Sequence, residues 1–196
     1  MKVIGLCGGS GKGTVSSIFK KHGIPSIDTD AVYREMTSGD SPCMQALKDA
    51  FGNEIVNADG GLDRAGLASV VFGNAEKLKL LNRIAHSFIL DETRRILGEY
   101  RSAGYEAAIV DAPVLYESGF DSECDTVICV VADTDVRVRR IIQRDGISLD
   151  AAMKRIKNQM SNEELMSRSR YVINNNGNLE ELTSEVDKLA KIILEN

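Results

Sequence analysis

Seven residues near the start of the chain, Gly8, Gly9, Ser10, Gly11, Lys12, Gly13 and Thr14, have the types and order that hold a phosphate chain. Small residues let backbone N–H groups wrap oxygen atoms, and a following helix adds the positive end of its dipole. A lysine directly after the last glycine of the turn supplies a point charge for the same oxygens. The apolar run before the loop reads as a buried strand over residues 2–7, and Val15, Ile18 and Phe19 after it have helical spacing, so the loop joins a strand to a helix. A glycine turn with no ligand would leave Lys12 unexplained.

Against the pattern G-x-x-x-x-G-K-[ST] the loop departs twice. Six positions before Lys12 stands Leu6 instead of glycine, so a loop opening at Gly8 is two residues short, and Gly13 takes the place of the usual hydroxyl residue. The triplet Lys12, Gly13, Thr14 is similar to the adenylate kinase variant of the motif, in which the residue after the lysine is not a direct metal ligand. Fewer N–H donors face the phosphates, and the expectation is weaker nucleotide binding than a full-length loop provides.

Phosphoryl transfer to a hydroxyl also needs a carboxylate on the acceptor side. In a doubly wound sheet, ligands bind outside the carboxyl ends of the strands, which singles out Asp28, Asp30 and Asp111. Asp28 and Asp30 follow a short strand that starts near Ile24. Two acids one residue apart diverge, so one is expected at the site and the other as a helix cap. Asp111 ends the apolar run Ala107–Val110, and Pro113 stops a helix from forming directly after it.

Arg137, Arg140 and Arg144 recur at i, i+3 and i+7 and so share one face of a helix expected over 133–145. The segment from Ser148 to Arg168 reads as two short helices broken at Ser161, where Ser161 and Glu164 form a capping box. An arginine-bearing helical pair, with Arg155 the main contributor from its second half, resembles a lid that closes over a triphosphate. His22 is read as a surface residue and His86 as an interior histidine in the long helical segment; no metal cluster or Ser/His/Asp arrangement can be assembled.

These groups need elements to position them. Near-continuous apolar runs at 107–110 and 126–132, with intervening helical segments, imply parallel strands covered on both faces. From about Gly39 to Tyr100 the periodicity is helical throughout, which reads as an insertion. The chain has 196 residues, 24 Lys plus Arg against 29 Asp plus Glu, and a net charge of −5, enough for one globular domain without a broad basic face for duplex nucleic acid. Trp is absent and aromatics are 5%, which disfavours base-stacking modules. No stretch nears the roughly 20 apolar residues of a membrane span, so the expected setting is cytoplasmic. Cys7, Cys43, Cys124 and Cys129 lack zinc or C-x-x-C spacing and are expected as free thiols that fill space.

The phosphate loop, Ile27–Val32, Asp111–Glu117, Gln143–Asp145 and Val172–Gly177 occur in that order. With them the chain resembles dephospho-CoA kinases over about residues 2–194. The resemblance implies an α/β, P-loop kinase-type fold: a doubly wound parallel five-stranded sheet with a helical CoA-domain insertion and a small helical lid. The core would be 1–38 and 101–196, the insertion about 39–100 and the lid about 146–168. The implied reaction moves the ATP γ-phosphate to the ribose 3′-hydroxyl of dephospho-CoA, with Mg²⁺ as cofactor. Neither a nucleic-acid polymer nor a membrane is an expected partner, and the protein is expected as a monomer or weak homo-oligomer.

Carried over by position, the resemblance makes Asp30 the base and places Lys12 with the rest of the loop on the ATP phosphates. Arg140 and Arg144 fall on the lid side, and Asn175 and Gly177 near the adenine. Asp111 and Glu117 fall on the substrate, Thr14 and Asp111 on the metal ion, the latter through water. His86 becomes a substrate contact, although Ser87 stands where the family has proline, and Val114 replaces the first leucine of the Asp111–Glu117 segment. Two other readings stay open: a nucleoside monophosphate kinase, suggested by the Lys-Gly-Thr triplet, and a CoA-ligand-binding pseudokinase, suggested by the short loop.

Overall fold

The computed structural model describes residues 1–195. The chain forms two compact units, Met1–Ile27 with Glu99–Asn196, and Asp28–Gly98. The second therefore begins at Asp28, ahead of the insertion expected from about residue 39.

The first unit is built on five strands in the order β2-β3-β1-β4-β5: β1 Lys2–Gly8, β2 Ser26–Asp28, β3 Ala107–Asp111, β4 Thr126–Val131 and β5 Tyr171–Asn174. The pairings of β1 with β3, β1 with β4 and β4 with β5 are all parallel. In the register Leu6 sits opposite Asp111 and Gly8 opposite Val130, so these strands end close to one level. That level edge is where the side chains expected to do chemistry collect.

Side chains alternate across a strand, and here both sets are apolar, as a sheet covered on both faces requires. Ile4, Leu6, Ile109, Ile128, Val130 and Ile173 meet α1 (Lys12–Lys21) and the last helix, α9 (Leu179–Glu195), through Val15, Phe19, Val186 and Ala190, all fully or almost fully buried. On the other set, Cys7, Ala108 and Cys129 are buried with Leu115 and Phe120. Gly5 belongs to it, and a side chain there would lie 2.7 Å from Leu115.

The break expected at Ser161 falls between two helices. α7 (Leu149–Lys157) and α8 (Asn162–Arg168) are separate, and the Ser161 hydroxyl caps α8 by accepting from the Glu164 N–H at 3.1 Å. α6 (Thr134–Asp145) precedes them, and Val138, Ile141 and Ala152 bury the α6–α7 contact. His22 is not a bare surface residue: its Nε2 lies 2.7 Å from Asp187 of α9.

In the second unit, α2 (Thr29–Met36), α3 (Pro42–Phe51), α4 (Arg64–Val71) and α5 (Ala75–Ser102, which runs on past Gly98) surround their own core. Cys43, Leu47, Phe51, Ile55 and Leu67 are its centre. α5, at 28 residues, is longer than its apolar stripe alone would suggest, because exposed ion pairs such as Arg95 with Glu92 solvate its outer face.

All four cysteines are free and none is exposed, as expected of space-filling thiols. Burial pushes Cys7 up to about 11 and Cys124 up to about 12, so both stay protonated at neutral pH. Among the described residues no helix is long and apolar enough to cross a membrane.

Candidate active site

The connection from β1 to α1 is Gly9, Ser10 and Gly11 alone. Gly8, at φ +125°, lies so close to β4 that a side chain would strike the Val130 carbonyl. Gly11, at φ +93°, is the left-handed cap of α1, and any Cβ there would collide with the Asn175 amide. The short loop is therefore moulded on one side by β4 and on the other by the turn after β5, and both contacts require glycine.

Lys12 opens α1 and lies 3.4 Å from Asp111 Oδ1, the two side chains 16% and 13% exposed. The other carboxylate oxygen of Asp111 accepts from the Ser16 hydroxyl at 3.5 Å. Lys12 opens the helix that follows β1 and Asp111 ends the neighbouring β3, so a phosphate-binding cation and a carboxylate share one point. Thr14 is exposed one residue past Gly13. Ser16, absent from the sequence-derived site, faces Asp111 because it lies one turn past Lys12 on the same face of α1.

A cavity of about 500 Å³ opens beside the loop. Its polar wall includes Ser10, Thr14, Arg140, Arg144 and Asn175, and its apolar wall is Ile141, Leu179 and Leu182. Arg140 is the joint of the polar side. Its guanidinium donates to the Asn175 carbonyl at 2.8 Å and to the Ser10 hydroxyl at 3.3 Å, while the Asn175 amide donates to the Ser10 carbonyl at 3.2 Å. Gly177 lies in the turn between β5 and α9 that borders the same cavity. Asn176 ties this turn to the next one over, accepting from the Asp133 N–H at 2.7 Å.

The arginine face divides into three environments. Arg140 lines the cavity, and Arg137 is buried behind the loop. Arg144 also reaches the cavity while donating to both oxygens of Asp145, at 2.7 and 2.9 Å. Arg155 donates to the same carboxylate at 2.7 Å. The Arg144 bond holds the Asp145 carboxyl below its ordinary range.

Asp28, Asp30, His86 and Glu117 are not among the residues that line this cavity. Asp28 is the cap of α2, accepting from the N–H groups of Asp30 and Ala31 at 3.0 and 3.1 Å, which leaves Asp30 exposed in the first helical turn with its carboxylate uncommitted to the cap. Asp30 and His86 belong to the second unit, where His86 is half-buried in α5. Glu117 is exposed in the turn after Pro113. Leu179 and Leu182, which sequence reading missed, form the apolar wall; an exposed leucine directly after an Asn-Gly-Asn turn at a strand end was their available signal.

A glycine loop at a helix N-terminus, a lysine, two arginines and an apolar slot at the carboxyl edge of a parallel sheet define a P-loop phosphotransferase that acts on small molecules. The Dephospho-CoA kinase family model matches residues 2–181, and the chain belongs to this family of ATP-dependent kinases. A dephospho-CoA kinase of Corynebacterium efficiens is 39% identical over 193 residues, spanning 97% of this chain and 96% of its own. One from Bacillus cereus is 38% identical over 96% of each. Protein TT1252 from Thermus thermophilus superposes with a TM-score of 0.80 at 31% identity over 97% of both chains. A dephospho-CoA kinase from Campylobacter jejuni shares the fold at a TM-score of 0.71 and 22% identity, over 100% of this chain and 98% of its own.

Arg140→Ala removes two hydrogen bonds and one cavity charge, and the ATP dissociation constant is expected to rise about ten- to a hundredfold. Arg139, exposed on the far side and paired with Asp135 at 3.4 Å, serves as the control whose removal leaves ATP affinity unchanged. Titration calorimetry of the two variants checks both halves; equal losses would mean that Arg140 acts only through general charge.

Proposed function

We propose that this chain transfers the ATP γ-phosphate to the ribose 3′-hydroxyl of dephospho-CoA, with Asp30 as the base that orients and deprotonates that hydroxyl. The observation that carries the reading is the meeting of Lys12, Asp111 and the N-terminus of α1 beside the Arg140-lined cavity. Phosphoryl transfer demands little covalent work from the protein, so catalysis is positioning and neutralisation of charge on the phosphate oxygens. Lys12 and the N–H groups of Gly9 to Thr14 hold the donor phosphates. Arg140 and Arg144 meet the rest of the triphosphate, and Asn175, Gly177, Ile141, Leu179 and Leu182 surround the base.

When a triphosphate enters, its oxygens compete with Asp111 for Lys12 and with Asp145 for Arg144. Asp111 then gives up its pairing with Lys12. Its carboxylate, with the hydroxyl of Ser16, is an all-oxygen donor set of the kind Mg²⁺ uses, in which one or two carboxylates suffice because water and phosphate complete the shell; Thr14, two residues before Ser16 and exposed, faces the cavity instead. Held there through water, Mg²⁺ would neutralise charge building on the β- and γ-phosphate oxygens. His86 and Glu117 are assigned to the acceptor.

Asp28 already satisfies the two N–H groups at the start of α2, so replacing Asp30 by Asn leaves that cap intact. Asp30→Asn is expected to cut kcat by about 10²- to 10⁴-fold with little change in either KM. Near-normal turnover would remove Asp30 from the mechanism. A parallel assay offering AMP, CMP, UMP and dephospho-CoA is expected to give product only from dephospho-CoA. Product from a nucleoside monophosphate, or binding of dephospho-CoA with no product at high enzyme concentration, would overturn the reading.

A further inference from the structure

The β1–α1 connection has only Gly9, Ser10 and Gly11, and the space of the missing loop residues is not empty. A Cβ placed on Gly9 would collide with Nη2 of Arg137 and lie 2.6 Å from its Cζ and 2.8 Å from its Nε, so the guanidinium occupies the space where a side chain of residue 9 would be. Arg137 comes from α6, one turn before Arg140, and is 4% exposed.

This burial is unusual for an arginine. Its Nη2 donates to the Gln159 side-chain oxygen at 2.6 Å, while its Nε is buried without a hydrogen-bond partner. Among the described residues no carboxylate is paired with it. Burial draws its pKa below the ordinary arginine value, as expected of a cation without a counter-charge. A desolvated, unpaired guanidinium is costly unless an anion offsets it, and such groups gather at functional sites.

We infer that Arg137 is a positioning residue for the phosphate donor: its guanidinium takes the space of the two residues the loop lacks, fixes the N–H groups of Gly9 to Gly11, and places a positive charge behind them. The charge favours a bound triphosphate through the loop without touching it, and so answers the shortfall in N–H donors. Gly9 must stay glycine because the guanidinium lies where its side chain would be. The inference rests on the phosphate loop binding the donor nucleotide, and not on the identity of the acceptor.

The test is a cycle in the full chain: Arg137→Gln, Arg137→Ala, insertion of two glycines between Gly8 and Gly9, and the insertion combined with each substitution. ATP affinity is read by calorimetry, KM for ATP and for dephospho-CoA by steady-state assay, and folding by thermal melting. Arg137→Gln is expected to raise KM for ATP about tenfold, with KM for dephospho-CoA unchanged. The insertion alone is expected to weaken ATP binding, because the new residues and Arg137 compete for one space. Insertion with Arg137→Ala is expected to bind ATP better than either change alone, a coupling of opposite sign to simple damage. If Arg137→Ala does not fold, the Arg137→Gln pair provides the same comparison.

Effects that multiply independently, or a rise in both KM values together, would overturn the inference. If the unaltered enzyme phosphorylates dephospho-CoA but the cycle shows no coupling, Arg137 is dismissed and the function stands. If the coupling appears in ATP binding while no acceptor is phosphorylated, Arg137 stands and the function falls.

Discussion

The chain must turn from β1 into α1 within three residues, and much of the site follows from that constraint. So short a turn brings the backbone against its neighbours on every side. Gly8 is pressed to the Val130 carbonyl, Gly9 to Arg137 and Gly11 to Asn175, and each contact excludes a side chain. The loop is held less by its own hydrogen bonds than by groups that β4, α6 and the β5–α9 turn deliver. The parallel register makes this possible, since it ends β1, β3 and β4 nearly level and lets three crossovers reach one point.

The same geometry settles the charge balance. A net charge of −5 is unpromising for a protein that holds a triphosphate, yet Lys12, Arg137, Arg140 and Arg144 stand in or beside the loop and its cavity. Lys12 rests on Asp111, and Arg144 and Arg155 share Asp145. These carboxylates act as stand-ins that an incoming phosphate can displace. Among the described residues neither Arg137 nor Arg140 is paired with a carboxylate, and Arg137 is the buried one, which gives the back of the loop a standing preference for an anion.

Much of the fold was legible because its signals are local. Apolar runs in β3 and β4 announce strands buried on both faces, and the Ser161 capping box marks the break between α7 and α8 where it occurs. The loop, its missing residues and the strand-end acids could be read from spacing alone. The division of labour between Asp28 and Asp30 could not, since either can cap a helix in sequence, and only the backbone shows Asp28 taking both N–H groups. Arg137 was hidden for another reason. Three arginines on one helical face look alike until the tertiary packing buries the first, lines the cavity with the second and pairs the third. Ser16 shares the face of Lys12, but that this face meets Asp111, and that Leu179 reaches the cavity, follow from long-range register, which no periodicity records.

The central claim is that a loop of three residues, braced from outside, still makes a complete phosphate cradle. The most direct measurement is calorimetric binding of ATP, ADP and AMP to the unaltered chain. If the cradle is complete, affinity falls with each phosphate removed, ATP binding at least about tenfold more tightly than AMP. Equal affinities for ATP and AMP, or no binding of ATP, would contradict it.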